Sequence, residues 1–225
     1  MSGPTLLRPA AIVWDWDNTL ADGWPAIRAG LNAAFRDAGL PEWTLEEVKG
    51  RVRKSLRDSF PAIFGDRWEH ARDVFYAAVR ATHLEVLRPM PGVELALRRA
   101  ARFAPMAVLS NKGGSLLRAE ADHLGWTPLF RALVGAGDCA ADKPDPMPMR
   151  VACAACGVSP GAAVWYVGDN ALDMDAARRA GCVPVLLGDA AHDGGPAQAS
   201  PALHFITPAQ MTDALSALDK LPTAG

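Results

Sequence analysis

With 225 residues, 50% of them hydrophobic and 21% charged, the chain has the composition of an ordinary globular protein, built as one large domain or as a core with a smaller insertion. A net charge of −2 and a pI near 6.2 supply no basic field for nucleic acid or an anionic membrane. The opening "MSGPTLLRPAAIVW" lacks the pattern of a signal peptide, and no stretch approaches the roughly 20 apolar residues of a membrane span, so a cytoplasmic protein is expected.

The first apolar run, "AAIVW", reads as a buried strand and leads into Asp15 and Asp17, two carboxylates one residue apart. Each raises the cost of ionising the other, and burial adds to it. Such a pair needs a cation between its members, or a reason for one of them to hold a proton. From about Trp24 to Met90 no comparable strand follows. The segments "WPAIRAGLNAAFRDAG", "TLEEVKGRVRKSLRDSF" and "DRWEHARDVFYAAVRATHLEVL" read as three helices, the second opened by a capping box of Thr44 and Glu47. "RPMPG", with two prolines and a glycine, marks the return to strands.

The runs "MAVLS", "LVGAG", "AVWYVG", "VPVLLG" and the shorter "LHFI" then precede Asn111, Asp138, Asp169, Asp189 and Thr207. Apolar runs without alternation suit strands covered on both faces of a parallel sheet. "SLLRAEADHLG" and "ALDMDAARRAG" between them have helical spacing and end at Gly125 and Gly181. Strand alternating with helix predicts an α/β fold, a Rossmann-like doubly wound parallel sheet, with an all-helical insertion after its first strand. The expected division is a core of 1–22 and 91–225 and a helical cap of 23–90. Ligands in such sheets bind beyond the carboxyl ends of the strands, where Asp15, Asp17, Ser110 and Asp169 fall.

Four cysteines are present, and Cys153 and Cys156 form a C-x-x-C. That pair lies in the last turns of an apolar helix, whereas redox pairs use a helix N-terminus to stabilise the thiolate. Together with Cys139 and Cys182 they are expected to be structural. The five histidines show no metal-ligand spacing and are given no role.

Four motifs stand in order, "DWDNTLAD", "LSN", "DKPDP" and "VGDNALD", each at a strand end or helix start. In this order they resemble the haloacid-dehalogenase-like hydrolase superfamily, in the subgroup with a helical cap after the first motif, and the resemblance spans essentially the whole chain. It implies that Asp15 attacks phosphorus to form an aspartyl-phosphate, a reaction that mostly needs charge neutralisation and alignment. It implies Mg²⁺ held by Asp15 and Asp169, with Asp17 contributing its backbone carbonyl and Asp173 supporting through water or Lys143. The Asp17 side chain is then free to act as general acid and later as general base. Ser110 is implied to hold the transferring phosphoryl group, and Lys143 to stabilise its charge and keep Asp15 ionised. Asn111 and the glycines after it offer close approach to phosphate oxygens. The family usually has Gly after the second aspartate; Asn18 stands here, a residue that tolerates unusual backbone angles.

Within the insertion, "KGRVRKSLRDS" is a charge run whose Arg53 and Arg57, at helical spacing, are candidates for binding a carboxylate or second anion on the substrate. The resemblance implies a Mg²⁺-dependent phosphatase acting on a small phosphorylated metabolite. The cap subgroup and "SNK" are similar to phosphoglycolate phosphatases, which suggests 2-phosphoglycolate. A phosphosugar mutase would retain the same core, and a non-catalytic phospho-accepting regulatory protein is the alternative outside enzymes. Asp17 argues against the dehalogenase and phosphonatase branches, which lack it. Neither nucleic acid nor membrane is an expected partner; an apolar patch on the insertion would support a homodimer.

Overall fold

The computed structural model describes residues 8–52 and 56–219, with backbone alone at 57 and 58. The sheet strands are β1 (Ala11–Trp14), β2 (Met106–Gly113), β3 (Leu133–Ala136), β4 (Val164–Gly168), β5 (Val183–Leu187) and β6 (Leu203–Phe205). They form one sheet in the order β3-β2-β1-β4-β5-β6, every neighbouring pair parallel. Each of the apolar runs becomes a strand. β2 runs on through Ser110, Asn111 and Lys112 to Gly113, with a shift of its pairing with β3 between Leu109 and Gly113.

Both faces of the sheet are covered, which is why the runs do not alternate. On one face Ile12, Trp14, Val108 and Val167 pack against Leu97 of α5 (Val93–Ala101), Leu117 of α6 (Gly114–His123) and Leu215 of α10 (Pro208–Leu218). On the other, Val13, Leu109 and Tyr166 meet Met149 and Cys153 of α7 (Pro146–Ala155) and Ala177 of α8 (Ala171–Arg179). Gly125 and Gly181, left-handed at φ 71 or just below, follow the ends of α6 and α8 as expected. Cys153 and Cys182 are buried and all four cysteines are free thiols. Among the described residues no helix is long and apolar enough to cross a membrane.

Between β1 and β2 the chain forms α1 (Trp24–Ala38), α2 (Leu45–Arg51), α3 (Leu56–Phe64) and α4 (Trp68–Val86) before α5. The first four share a core of Leu31, Phe35, Val48, Phe60, Phe75 and Val79. A Cβ at Gly30 would press into the Phe75 ring and Val79, so α1 and α4 pack closely there. Thr44 and Glu47 form the full capping box at α2. The predicted single helix from Thr44 to Phe60 is instead interrupted. Val52 has an extended backbone (φ −79, ψ 109) just past Arg51, where two weak helix formers, Gly50 and Val52, flank the helix end. α9 (Gly195–Ala199) completes the helices, short and packed beside α8.

The chain leaves β1 in one direction to build β2 and β3, then returns to place β4 on the other side of β1. The adjoining carboxyl ends of β1 and β4 are thus a topological switch point, the place where such sheets bind ligands.

Candidate active site

Asp15 is the first residue past β1, and its backbone N–H donates to the Val167 carbonyl at 2.8 Å, carrying the β1–β4 ladder one residue further. That bond sets Asp15 beside Asp169, the first residue past β4. Asn170 caps α8, accepting from the Asp173 N–H at 3.2 Å. The first turn of α8 brings Asp173 back under the strand end, where its Oδ2 accepts from the Asp169 N–H at 3.2 Å. Gly168 permits this: a Cβ there would overlap the Asp173 carboxyl.

Lys143, held on the loop between β3 and α7, lies between two of these acids, 2.7 Å from Asp15 Oδ1 and 2.8 Å from Asp173 Oδ1. Tyr166 adds its hydroxyl at 3.1 Å from the same Asp173 oxygen. All of these groups are buried. Burial first, then the charge of Asp173, raises the Asp15 carboxyl to about 7 despite Lys143. Burial, Asp173 and Asp15 push Asp169 well above the usual carboxylate range. Burial opposes the charge on Lys143, but Asp15 and Asp173 hold its ammonium well above the ordinary range.

Asp15, Asp169 and Asp173 each offer a carboxylate oxygen, all within 4.8 Å of one another. Asp169 Oδ1 accepts from Asn170 at 3.0 Å and from Thr19 at 3.4 Å, whereas its Oδ2 is buried with no hydrogen bond. His192 Nε2 stands 3.3 Å from that oxygen. A buried carboxylate oxygen that has no hydrogen bond and sits among other buried acids suits a hard divalent cation, and the three acids offer oxygen donors only. Both Asp173 oxygens already have hydrogen-bond partners, which leaves Asp15 and Asp169 better placed for direct coordination.

Asp17 points elsewhere. Its Oδ1 lies 2.6 Å from Lys112 Nζ, and Lys112 is also 2.9 Å from Glu120 Oε2. Trp16 Nε1 donates to Glu120 Oε2 at 2.6 Å, and His83 Nδ1 of α4 pairs with Oε1 at 2.9 Å. Burial would lower the Lys112 ammonium, but Asp17 and Glu120 together raise it. Burial raises the Asp17 carboxyl, with Lys112 opposing and Glu120 reinforcing.

Ser110 is buried in β2 and its hydroxyl accepts from the Lys112 N–H at 3.3 Å. It opens, with Asp15, Asp17, Asn111 and Lys143, onto one cavity. The Asn111 side chain grips the Lys143 backbone at both ends, donating to its carbonyl at 3.1 Å and accepting from its N–H at 2.9 Å. Arg53 and the side chain of Arg57 lie outside the described residues. Asn18 takes the left-handed backbone (φ 64) that glycine would otherwise supply, so the loop forms with Asn in that position.

With this geometry in place, residues 12–187 match the model of the family described as haloacid dehalogenase-like hydrolase. The chain belongs to that family. It is 32% identical over 181 residues to a phosphoglycolate phosphatase of Xanthomonas campestris, covering 77% of this chain and 80% of that protein. It is 30% identical over 189 residues to one of Chromobacterium violaceum, covering 79% and 84%. Among solved structures, a haloacid dehalogenase-like family hydrolase of Streptococcus pneumoniae superposes with a TM-score of 0.82 at 20% identity, over 92% of this chain and 98% of that one. A predicted phosphoglycolate phosphatase of Haemophilus somnus gives 0.78 at 23%, over 94% and 99%. At these identities the two structures speak for the fold.

Sequence reasoning missed four residues of this haloacid dehalogenase-like hydrolase: Lys112, Glu120, His83 and His192. Only Lys112, the last polar residue of "LSNKGG" and in sequence beside two motif residues, carried a local signal. The histidines given no role include two that sit at the site. His83 reaches Glu120 across 37 residues, and His192 reaches Asp169 from a separate loop, so no local spacing could have shown either. Trp16 is buried, with its ring edge-on to Trp126.

Gly23, at the start of α1, faces Asp17: a Cβ there would overlap Asp17 Oδ1. Gly23→Ala is expected to displace that carboxyl and lower kcat by about 10²-fold, the scale of loss that a misplacement of about an ångström can cause. Steady-state kinetics beside a thermal melt separate this from unfolding.

Proposed function

We propose that this hydrolase is a Mg²⁺-dependent phosphatase that cleaves a small phosphomonoester through an aspartyl-phosphate on Asp15. The observation that carries this reading is Asp15 held at the switch point beside Asp169 and Lys143, with Asp17 two residues on and separately anchored. The relatives' names make 2-phosphoglycolate the reference ester.

An Asp15 oxygen attacks phosphorus as the bond from phosphorus to the alcohol oxygen breaks, and that oxygen takes a proton from Asp17. The raised Asp17 carboxyl suits it to carry that proton. Asp17, now ionised, takes a proton from water as the water attacks phosphorus, which releases phosphate and regenerates Asp15. Ser110 donates to a phosphoryl oxygen, and the Lys143 ammonium faces the same group. Asn111, through both of its hydrogen bonds, fixes the Lys143 backbone. Mg²⁺ held by Asp15, Asp169 and the Asp17 carbonyl, with Asp173 in support, would neutralise phosphoryl charge. We take residues 23–90 as the cap over this site and 1–22 with 91–225 as the core.

A binding readout tests the metal independently of turnover. Mg²⁺ at about 100 times its Kd stabilises the wild-type chain by about 2.7 kcal/mol, seen as a higher Tm after chelator treatment. Asp169→Asn is expected to abolish that response. A wild-type Tm indifferent to Mg²⁺ would count against the metal site.

A further inference from the structure

The cavity that opens on Asp15 does not stop at the phosphate-binding groups. It measures about 190 Å³ and continues from Asp15, Ser110 and Lys143 to side chains of α1, α3 and α4. For scale, an apolar cavity of about 150 Å³ binds benzene. Beyond the carboxylates its walls are mainly apolar, with Trp24, Ile27, Trp43, Phe60, Ile63 and Tyr76 outweighing polar residues such as Ser59, Asn170 and His192.

Among the described residues three basic side chains line it besides Lys143, namely Arg51, Lys112 and His192, and each has an acidic partner, Asp169 for His192. Arg51 lies 3.2 Å from Glu47 and stacks over the Trp43 ring at 4.8 Å. Lys112 is held by Asp17 and Glu120. Among the described residues a second anionic group on the substrate would meet rings and no unpaired lysine or arginine, which is unfavourable. A hydrocarbon group would gain from leaving water.

We propose that the alcohol released is apolar. The substrate class is the phosphomonoester of a branched aliphatic or aromatic primary alcohol, with its phosphate at Asp15 and its hydrocarbon among Trp24, Trp43, Phe60 and Tyr76. This inference rests on the phosphatase reading and names the substrate for the same site.

The test compares kcat/KM of the full-length chain, with saturating Mg²⁺, for ethyl, isopentyl and phenethyl phosphates and for 2-phosphoglycolate. The three alkyl esters have similar leaving groups, so differences between them report the pocket. Isopentyl and phenethyl phosphates are expected to exceed ethyl phosphate and 2-phosphoglycolate by about tenfold or more. Ile27→Asn and Ile63→Asn are expected to lower the phenethyl-to-ethyl ratio, a readout that loss of folded protein does not move. Equal rates across the esters, preference for 2-phosphoglycolate, or an unchanged ratio in both variants overturns the inference and leaves the phosphatase standing. No hydrolysis of any ester overturns the phosphatase reading as well.

Discussion

Asp15→Asn is expected to lower phosphate release by about 10⁴-fold or more, because an amide oxygen cannot act as the attacking carboxylate. The fold is expected to survive the change. Asn is nearly isosteric, and its carbonyl can still accept from Lys143 at the 2.7 Å position of Asp15 Oδ1. It also removes a like charge from a buried cluster in which burial and Asp173 already oppose ionisation of Asp15. Without metal, the variant should therefore melt no lower than wild type. Turnover above about one per cent of wild type, with correct folding, would move the nucleophile away from Asp15.

The second large effect is expected at Lys112, which no motif assigned. Its ammonium is the shared cation of Asp17 and Glu120, and its side chain is almost entirely buried. Lys112→Met removes that cation from two buried acids and should cost about 3 kcal/mol in urea denaturation, at the lower end for breaking a buried ion pair because Asp17 can take up a proton. Asp17 also loses its anchor, so kcat should fall by about 10²-fold. Adding Glu120→Gln keeps an acceptor for Trp16 and removes one unpaired charge, and should return part of the stability while turnover stays low. A purely structural lysine would recover both together. Wild-type stability and kcat in Lys112→Met would remove Lys112 from the account of Asp17.

The difference between what could and could not be read from sequence follows from range. The strands were legible because a strand buried on both faces must be a short unbroken apolar run, as "VWYVG" shows. Asp15 and Asp169 were legible because each immediately follows such a run. The Thr44 cap was legible because its partner, Glu47, is three residues away. The break at Val52 was not, since the charge pattern of "KGRVRKSLRDS" continues across it at helical spacing. The Asp17 network was also out of reach. Lys112 meets Asp17 across 95 residues and Trp16 meets Glu120 across 104, contacts fixed by the packing of β1, β2, α4 and α6. The apolar wall of the cavity was hidden for the same reason: aromatic residues at helical spacing look alike whether they fill the helical core or face a cleft.

On the proposed mechanism, buried acids at the β1–β4 switch point use a divalent cation to hydrolyse phosphate esters. The most direct measurement is phosphate release from p-nitrophenyl phosphate by the chelator-treated wild-type chain, followed as Mg²⁺ is added back. Expected is negligible release without metal and saturable turnover as Mg²⁺ rises, absent from Asp169→Asn at the same concentrations. Turnover at full rate in the chelator, or none at any Mg²⁺ concentration, would contradict metal-dependent hydrolysis at these acids.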